Sequence, residues 1–156
     1  MARDKIKSYA KINLALNIIG KTSYLHKIET IVTFISLHDE IFIEKIQSIK
    51  HKIFFIWKFS KNISKNNTVS KLIEILKKKK LLKKHKFKIC IKKNIPNKAG
   101  LGGGSMNASS LLNYFIKKKI IKTSKKEIIK IAKFIGSDVI LGLNPINSIL
   151  SKNNKI

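Results

Sequence analysis

Ile95-Pro96-Asn97-Lys98-Ala99-Gly100-Leu101-Gly102-Gly103-Gly104-Ser105-Met106-Asn107-Ala108 is the stretch on which the reading of this chain turns. Four of the seven glycines fall within five of its positions. The residues before it, Lys86 to Lys92, alternate Phe87, Ile89 and Ile91 with Lys86, Lys88, Cys90 and Lys92, the period of a half-buried strand. The run that follows Gly104 carries Met106, Leu111, Leu112 and Phe115 at spacings that a helix gathers on one side. A glycine loop opening into a helix presents backbone N–H groups without side-chain obstruction. The helix N-terminus adds partial positive charge, so the natural guest is a phosphate. The stretch has neither the Gly-Lys-Ser/Thr ending of a Walker loop nor the GxGxxG dinucleotide spacing. From the pattern alone it is either a phosphate cradle or a flexible glycine-rich turn.

Composition narrows the setting. A chain of 156 residues with 44% hydrophobic content is read as one globular domain with a real core. The formal charge is +26, yet of the 34 basic residues only Arg3 is an arginine. Nucleic-acid readers favour arginine for bidentate and stacking contacts, so the lysines read as a compositional bias spread over solvated faces. Such a surface still attracts polyanions, a nucleotide polyphosphate among them. The single cysteine, Cys90, excludes an internal disulfide, fits a reducing compartment, and sits in a strand pattern as a small buried hydrophobe. No secretory h-region is present at the N-terminus. The longest uncharged run, Ala99 to Ile116, contains the glycine loop and is no membrane span. A cytoplasmic protein is expected.

Outward from the loop, Ser8 to Ile18 reads as a strand, with Ala10, Ile12, Leu14, Leu16 and Ile18 on an apolar face and Tyr9, Lys11, Asn13, Ala15 and Asn17 on the other. Gly20 to Ser23 is a turn. Ile28 to Leu37 is a second strand, and Ile41 to Ile46 a third after a polar corner at His38-Asp39-Glu40. Lys52 to Phe59, alternating through Ile53, Phe55 and Trp57, is a fourth, and Ser60 to Asn67 a loop. A helix from about Thr68, capped by Asn67, buries Val69, Leu72, Ile73, Ile75 and Leu76 and ends in the solvated run Lys77 to Lys80. Ser124-Lys125-Lys126-Glu127 has capping-box spacing and starts another helix, stopped at Gly136, and Ile146 to Leu150 forms a last strand. The expected fold class is α+β, with helices on one face of a mostly antiparallel sheet.

Three polar positions stand out. Lys11 is a lone lysine in an otherwise uncharged strand and shares its face with Asn13, about 7 Å along. Either the two meet water on a half-exposed sheet, or they form part of a site. Asp138, one of eight acidic residues, lies just past a helix-ending glycine and is by composition a cap or turn aspartate. His26 is a lone histidine, a type more often incidental than functional.

Three motifs together resemble one family. Pro96-x-x-x-Gly100-Leu101-Gly102-Gly103-Gly104-Ser105 is similar to the phosphate-binding motif of the superfamily of galactokinase, homoserine kinase, mevalonate kinase and phosphomevalonate kinase. Ser8-Tyr9-Ala10-Lys11-Ile12-Asn13-Leu14 resembles its first motif, and Gly136-Ser137-Asp138-Val139 its aspartate motif. The triple glycine followed by Ser105-Met106-Asn107-Ala108 looks most like the branch that phosphorylates 4-diphosphocytidyl-2-C-methyl-D-erythritol. The resemblance implies a fold related to a ribosomal-protein domain. It further implies ATP-dependent phosphorylation of the 2-hydroxyl of that cytidine-diphosphate-linked polyol in non-mevalonate isoprenoid biosynthesis. Lys11 would assist the hydroxyl and Asp138 would take its proton. Asn13 and His26 would touch the substrate, and Pro96, Ala99, Gly100, Leu101, Gly102, Gly103, Gly104, Ser105 and Asn67 would line the ATP site. Ser105 is a candidate oxygen for a phosphate contact or for Mg²⁺.

The match has departures. Leu25 stands where the family has an aromatic beside the cytosine, with Tyr24 one residue away as a substitute. Ile140-Leu141-Gly142 replaces the family's Pro-Phe-Phe. Residues 1–156 are expected to be the ATP-binding N-terminal domain, with the family's C-terminal domain absent and turnover low for this piece alone. Two alternatives stand beside the kinase: a basic RNA-binding module of the related ribosomal fold, and an inactive remnant.

Overall fold

A computed structural model describes residues 3–21, 26–145 and 148–150 of the chain. In chain order the elements are β1 (Arg3–Lys21), β2 (His26–Ile46), β3 (Lys52–Ile56), α1 (Thr68–Lys78), β4 (Lys86–Lys92), α2 (Gly103–Lys117), α3 (Lys125–Ile135) and β5 (Ser148–Leu150). The sheet runs β1-β2-β4-β3. β1 and β4 are both antiparallel to β2, and β3 lies parallel outside β4. β5 pairs antiparallel with Thr30, Ile31 and Val32 of β2. The expected α+β class with a mostly antiparallel sheet holds.

One face of this sheet is covered by helices. Ile41 and Ile43 of β2 and Phe87, Ile89 and Ile91 of β4 meet Leu72 and Leu76 of α1, Leu111, Leu112 and Phe115 of α2, and Ile131 and Ile135 of α3. Phe87 and Phe115 pack ring to ring at 5.1 Å between centroids. Each such side chain, taken fully from water, contributes about 1.5–3 kcal/mol, which is why period-2 strands and period-3.6 helices close on one another here. Asn67 caps α1 as expected: its side-chain oxygen accepts from the N–H groups of Val69 and Ser70 at 3.1 and 3.0 Å. Ser124 does the same for α3 through Glu127 N–H at 3.2 Å. Gly136 ends α3 with an extended φ of 172°, so the stop does not depend on a left-handed residue.

Several expectations are corrected. The second and third strands are one: β2 runs through His38-Asp39-Glu40 without a corner, because Asp39 finds hydrogen-bond partners inside the fold. The irregularity is a bulge instead, since Tyr9 faces His38 whereas Lys11 faces Phe34, so β2 spends extra residues there. Leu14 and Leu16, assigned to the apolar inward face, are 63% and 51% exposed. A second register shift between Asn13 and Ala15 leaves Leu14 as an inserted residue, which breaks the alternation that the assignment relied on. β3 stops at Ile56, for Trp57 turns to φ 82° and is 57% exposed rather than alternating inward. Cys90 is half-buried. Ser148–Leu150 carries the last expected strand. Gly20 and Lys21 of the expected turn belong to β1 and pair with Lys27 and His26, while Thr22, Ser23 and Ile146 lie outside the described residues.

Two stability effects follow. Asn67→Ala orphans two helix N–H groups and should cost about 1 kcal/mol, read as a lower unfolding midpoint in urea. The His51 ring accepts the Phe87 N–H at Nδ1 and stacks on the Phe87 ring. Burial first, then the Lys86 and Lys77 charges, hold its imidazole below the ordinary 6.5. The unfolded chain therefore binds the extra proton more readily. Stability from this site is complete above pH 6.5 and is lost as pH falls towards and through the lowered folded value. Thermal melts between pH 8 and 5 should show that decline, and His51→Phe should flatten it.

Candidate active site

The glycine loop leaves β4 and returns as the first turn of α2. Gly100 and Gly102 take φ of 73° and 66°, a region that side chains disfavour. At Gly102 the need is also spatial: a Cβ there would stand 2.8 Å from Cγ of Lys11. At Gly103 it would stand 3.0 Å from Ile95 and 3.2 Å from the Lys93 ammonium, and at Gly104 3.2 Å from the Thr68 hydroxyl. That hydroxyl donates to the Gly104 carbonyl at 2.6 Å, tying the start of α1 to the start of α2. The result is a cleft of about 360 Å³ lined by Asn62, Thr68, Lys93 and the run Pro96–Ser105, at the positive ends of two helices.

Lys11 reaches this loop from the sheet. Its N–H donates to the Leu101 carbonyl at 3.1 Å, and its stem lies against Gly102. Its ammonium donates to Asn13 Oδ1 at 3.0 Å and stands 3.2 Å from Asp138 Oδ2. The lysine side chain is only 7% exposed and the aspartate 37%. A nearly buried cation is tolerated only when paired and hydrogen-bonded, and here both conditions are met. Asp138 comes from a single 3-10 turn, Ser137–Val139, held by buried Val139. A Cβ on the preceding Gly136 would lie 4.0 Å from the Ser105 hydroxyl, so the aspartate's turn abuts the start of α2. Lysine, aspartate, asparagine and glycine loop thus share one corner, with the carboxylate as the wetter partner.

The remaining candidates fall unevenly. Pro96 and Ser105 are half-buried, and Ala99 and Gly100 form the exposed lip of the loop. Asn67 precedes Thr68 without lining the cleft itself, and both polar atoms of its side chain are committed, the oxygen to the α1 cap and the amide to the Ser64 carbonyl at 2.8 Å. His26 opens β2, and its side chain, like Tyr24 and Leu25, lies outside the described residues. Among the described residues no three His, Cys, Asp or Glu side chains gather as a metal cluster.

Sequence reasoning passed over a buried polar group beneath the loop: Asp39, Lys93 and Asn107, all within 3% of complete burial. A signal for it existed. Lys93 continues the inward parity of Phe87, Ile89 and Ile91, and Asp39 that of Ile41 and Ile43. Ile41 pairs with Ile91, so the two charges fall one inward step further along the same register.

Comparison with known proteins adds to this geometry. The family model described as GHMP kinases N terminal domain matches residues 67–146. The chain is similar to 4-diphosphocytidyl-2-C-methyl-D-erythritol kinase of Pelagibacter ubique (strain HTCC1062), with 60% identity over 152 residues that cover 97% of this chain and 54% of the relative. It is 39% identical over 137 residues to the protein of the same name from Petrotoga mobilis (strain DSM 10674 / SJ95), covering 86% of this chain and 51% of that one. The chain therefore spans about half the length of the curated relatives it matches. A crystal structure of 4-(cytidine 5'-diphospho)-2C-methyl-D-erythritol kinase superposes with a TM-score of 0.71 at 22% identity, over 90% of this chain and 48% of that one. That likeness establishes the shared fold.

The close approach of Gly102 to Lys11 is open to a paired test. Gly100→Ala and Gly102→Ala both place a side chain at positive φ, a strain of about 1–2 kcal/mol. Nothing lies within 4 Å of a Cβ at Gly100, whereas one at Gly102 meets the lysine stem. Both variants should melt earlier, and only Gly102→Ala should shift the Lys11 side-chain resonances in NMR spectra.

Proposed function

The chain belongs to the GHMP kinases through their N-terminal domain, and on that footing we propose that it carries the phosphate-holding part of a small-molecule kinase. The reaction is transfer of the γ-phosphoryl group of ATP to the 2-hydroxyl of 4-diphosphocytidyl-2-C-methyl-D-erythritol, a step of non-mevalonate isoprenoid biosynthesis. The names of the relatives matched over 97% and 86% of the chain support this substrate. One observation carries the chemistry: the Lys11–Asp138 pair at 3.2 Å, with the lysine stem resting on Gly102 of the loop.

The division of labour follows from the parts. Asp138, the more exposed partner, accepts the proton of the acceptor hydroxyl as the new O–P bond forms and the bond to the leaving ADP breaks. Lys11 orients that carboxylate and offsets charge on the reacting oxygen. Amides of Gly102, Gly103, Gly104 and Ser105 hold the phosphates at the N-terminus of α2. Mg²⁺ arriving with the nucleotide would neutralise phosphate charge, a role that needs few protein ligands and to which the Ser105 hydroxyl offers a hard oxygen. Asn13, hydrogen-bonded to Lys11, is assigned to the polyol. His26, at the start of β2, and Tyr24 are assigned to the cytidine end.

The family match favours this reading over an RNA-binding module. Among the described residues no helix is long and apolar enough to cross a membrane.

The test is ATP-dependent phosphorylation of 4-diphosphocytidyl-2-C-methyl-D-erythritol. It is run with the chain alone and with the second half of the Pelagibacter relative added in trans. Activity is expected in at least the supplemented reaction, and Asp138→Ala should lower it by roughly 10²–10⁴-fold. Full activity in that variant would remove the aspartate from its role, and no turnover in either reaction would remove the substrate assignment.

A further inference from the structure

We infer that Asp39 is the positioning residue of the glycine loop, the group that grips both ends of the cradle at once; this rests on the phosphate-binding reading above. Its carboxylate has no exposure to solvent. One oxygen accepts the N–H groups of Asn94 and Ile95 at 2.7 and 2.8 Å. The other accepts the Asn107 side-chain amide at 2.9 Å and the Lys93 ammonium. Four donors saturate a carboxylate. Asn94 and Ile95 immediately precede Pro96, where the loop departs, and Asn107 lies early in α2, where the loop has returned. Asn94 is held further by its side-chain amide, which donates to the His38 carbonyl at 3.0 Å.

Between those ends the loop has few fastenings. Residues 97–100 are exposed. The Leu101 carbonyl takes the Lys11 N–H, the Gly104 carbonyl takes the Thr68 hydroxyl, and the Asn97 amide reaches the Phe59 carbonyl at 2.7 Å. The span of the cradle is therefore set where both flanks meet one aspartate. A buried ion pair is a poor source of net stability, since apolar residues of similar size do as well. What it supplies here is a fixed geometry. It also occupies the Lys93 ammonium beside Gly103, leaving the loop amides as the phosphate ligands.

Two variants separate the roles. Asn107→Ala releases one flank and leaves the Asp39–Lys93 pair in place, whereas Asp39→Asn weakens both flanks and leaves the lysine unpaired. Leu72→Ala, a cavity in the core that touches none of the Asp39 hydrogen bonds, is the control for destabilisation alone. Each is compared with the unaltered chain in ATP affinity by calorimetry, at a temperature where all are folded, and in amide hydrogen exchange without ligand. The expected result is roughly tenfold or greater loss of ATP affinity in both polar variants, as misplacement of a binding group produces. Loop amides of residues 97–105 should exchange faster, and Leu72→Ala should retain affinity. Unchanged affinity and loop exchange in Asn107→Ala and Asp39→Asn would overturn the inference, as would an equal loss in Leu72→Ala. If Asp39→Asn does not fold, Asn107→Ala decides alone. If the unaltered chain binds no ATP, the phosphate reading fails. Loop exchange then still decides whether Asp39 holds the loop: faster exchange upholds it and unchanged exchange refutes it.

Discussion

A lysine ammonium withdrawn from water has to be answered by polar partners, and the architecture around Lys11 is the answer. Asn13 supplies an oxygen from the same strand, and Asp138 supplies a charge from the far end of α3. The lysine's own N–H fastens the glycine loop through Leu101. Two segments remote in sequence are therefore held to one residue of β1. The loop can approach it only because Gly102 carries no Cβ. The bulge that places Ala10 and Lys11 inward in succession is part of the same arrangement, since strict alternation would turn one of them out.

Much of this was legible in the residues because it is local. β4 and the caps of α1 and α3 follow from short-range periodicity and capping chemistry, and they appear where the pattern placed them. The glycine loop was legible for the same reason, since a cluster of residues tolerant of positive φ announces itself. Register shifts were not. Nothing in Leu14 or Leu16 distinguishes them from their inward-facing neighbours, for the inserted residue is defined by what lies opposite it on β2. Asp39 reads as part of a corner because an acidic residue between polar neighbours resembles one. Only pairing with a second strand reveals that its parity points inward. The grouping of Lys11 with Asp138 came from resemblance to a family, and the fold brings them within 3.2 Å.

The few carboxylates of this chain tend to mark junctions. With eight acidic residues against 34 basic ones, those with described partners mostly sit where elements meet. Asp4 joins the start of β1 to α2 through the Tyr114 hydroxyl and Lys118, which together hold its carboxyl below the usual range. Burial, then that same hydrogen bond, pushes the tyrosine up. Glu40 lies between Lys5 of β1 and Lys92 of β4, and both lower its carboxyl. Glu127 links α3 to Lys79 at the end of α1. Excess positive charge makes a lysine partner easy to find anywhere, so the positions of the acids, rather than of the lysines, mark the seams of the fold.

The inserted residue at Leu14 divides the long β1–β2 ribbon into two regimes. On the near side each inward side chain answers to helices packed a few ångströms away, and a change of one methylene is felt by its neighbours. Beyond the slip, Leu14 and Leu16 answer chiefly to the backbone ladder. At those two positions the ribbon can change its chemistry without disturbing the interior.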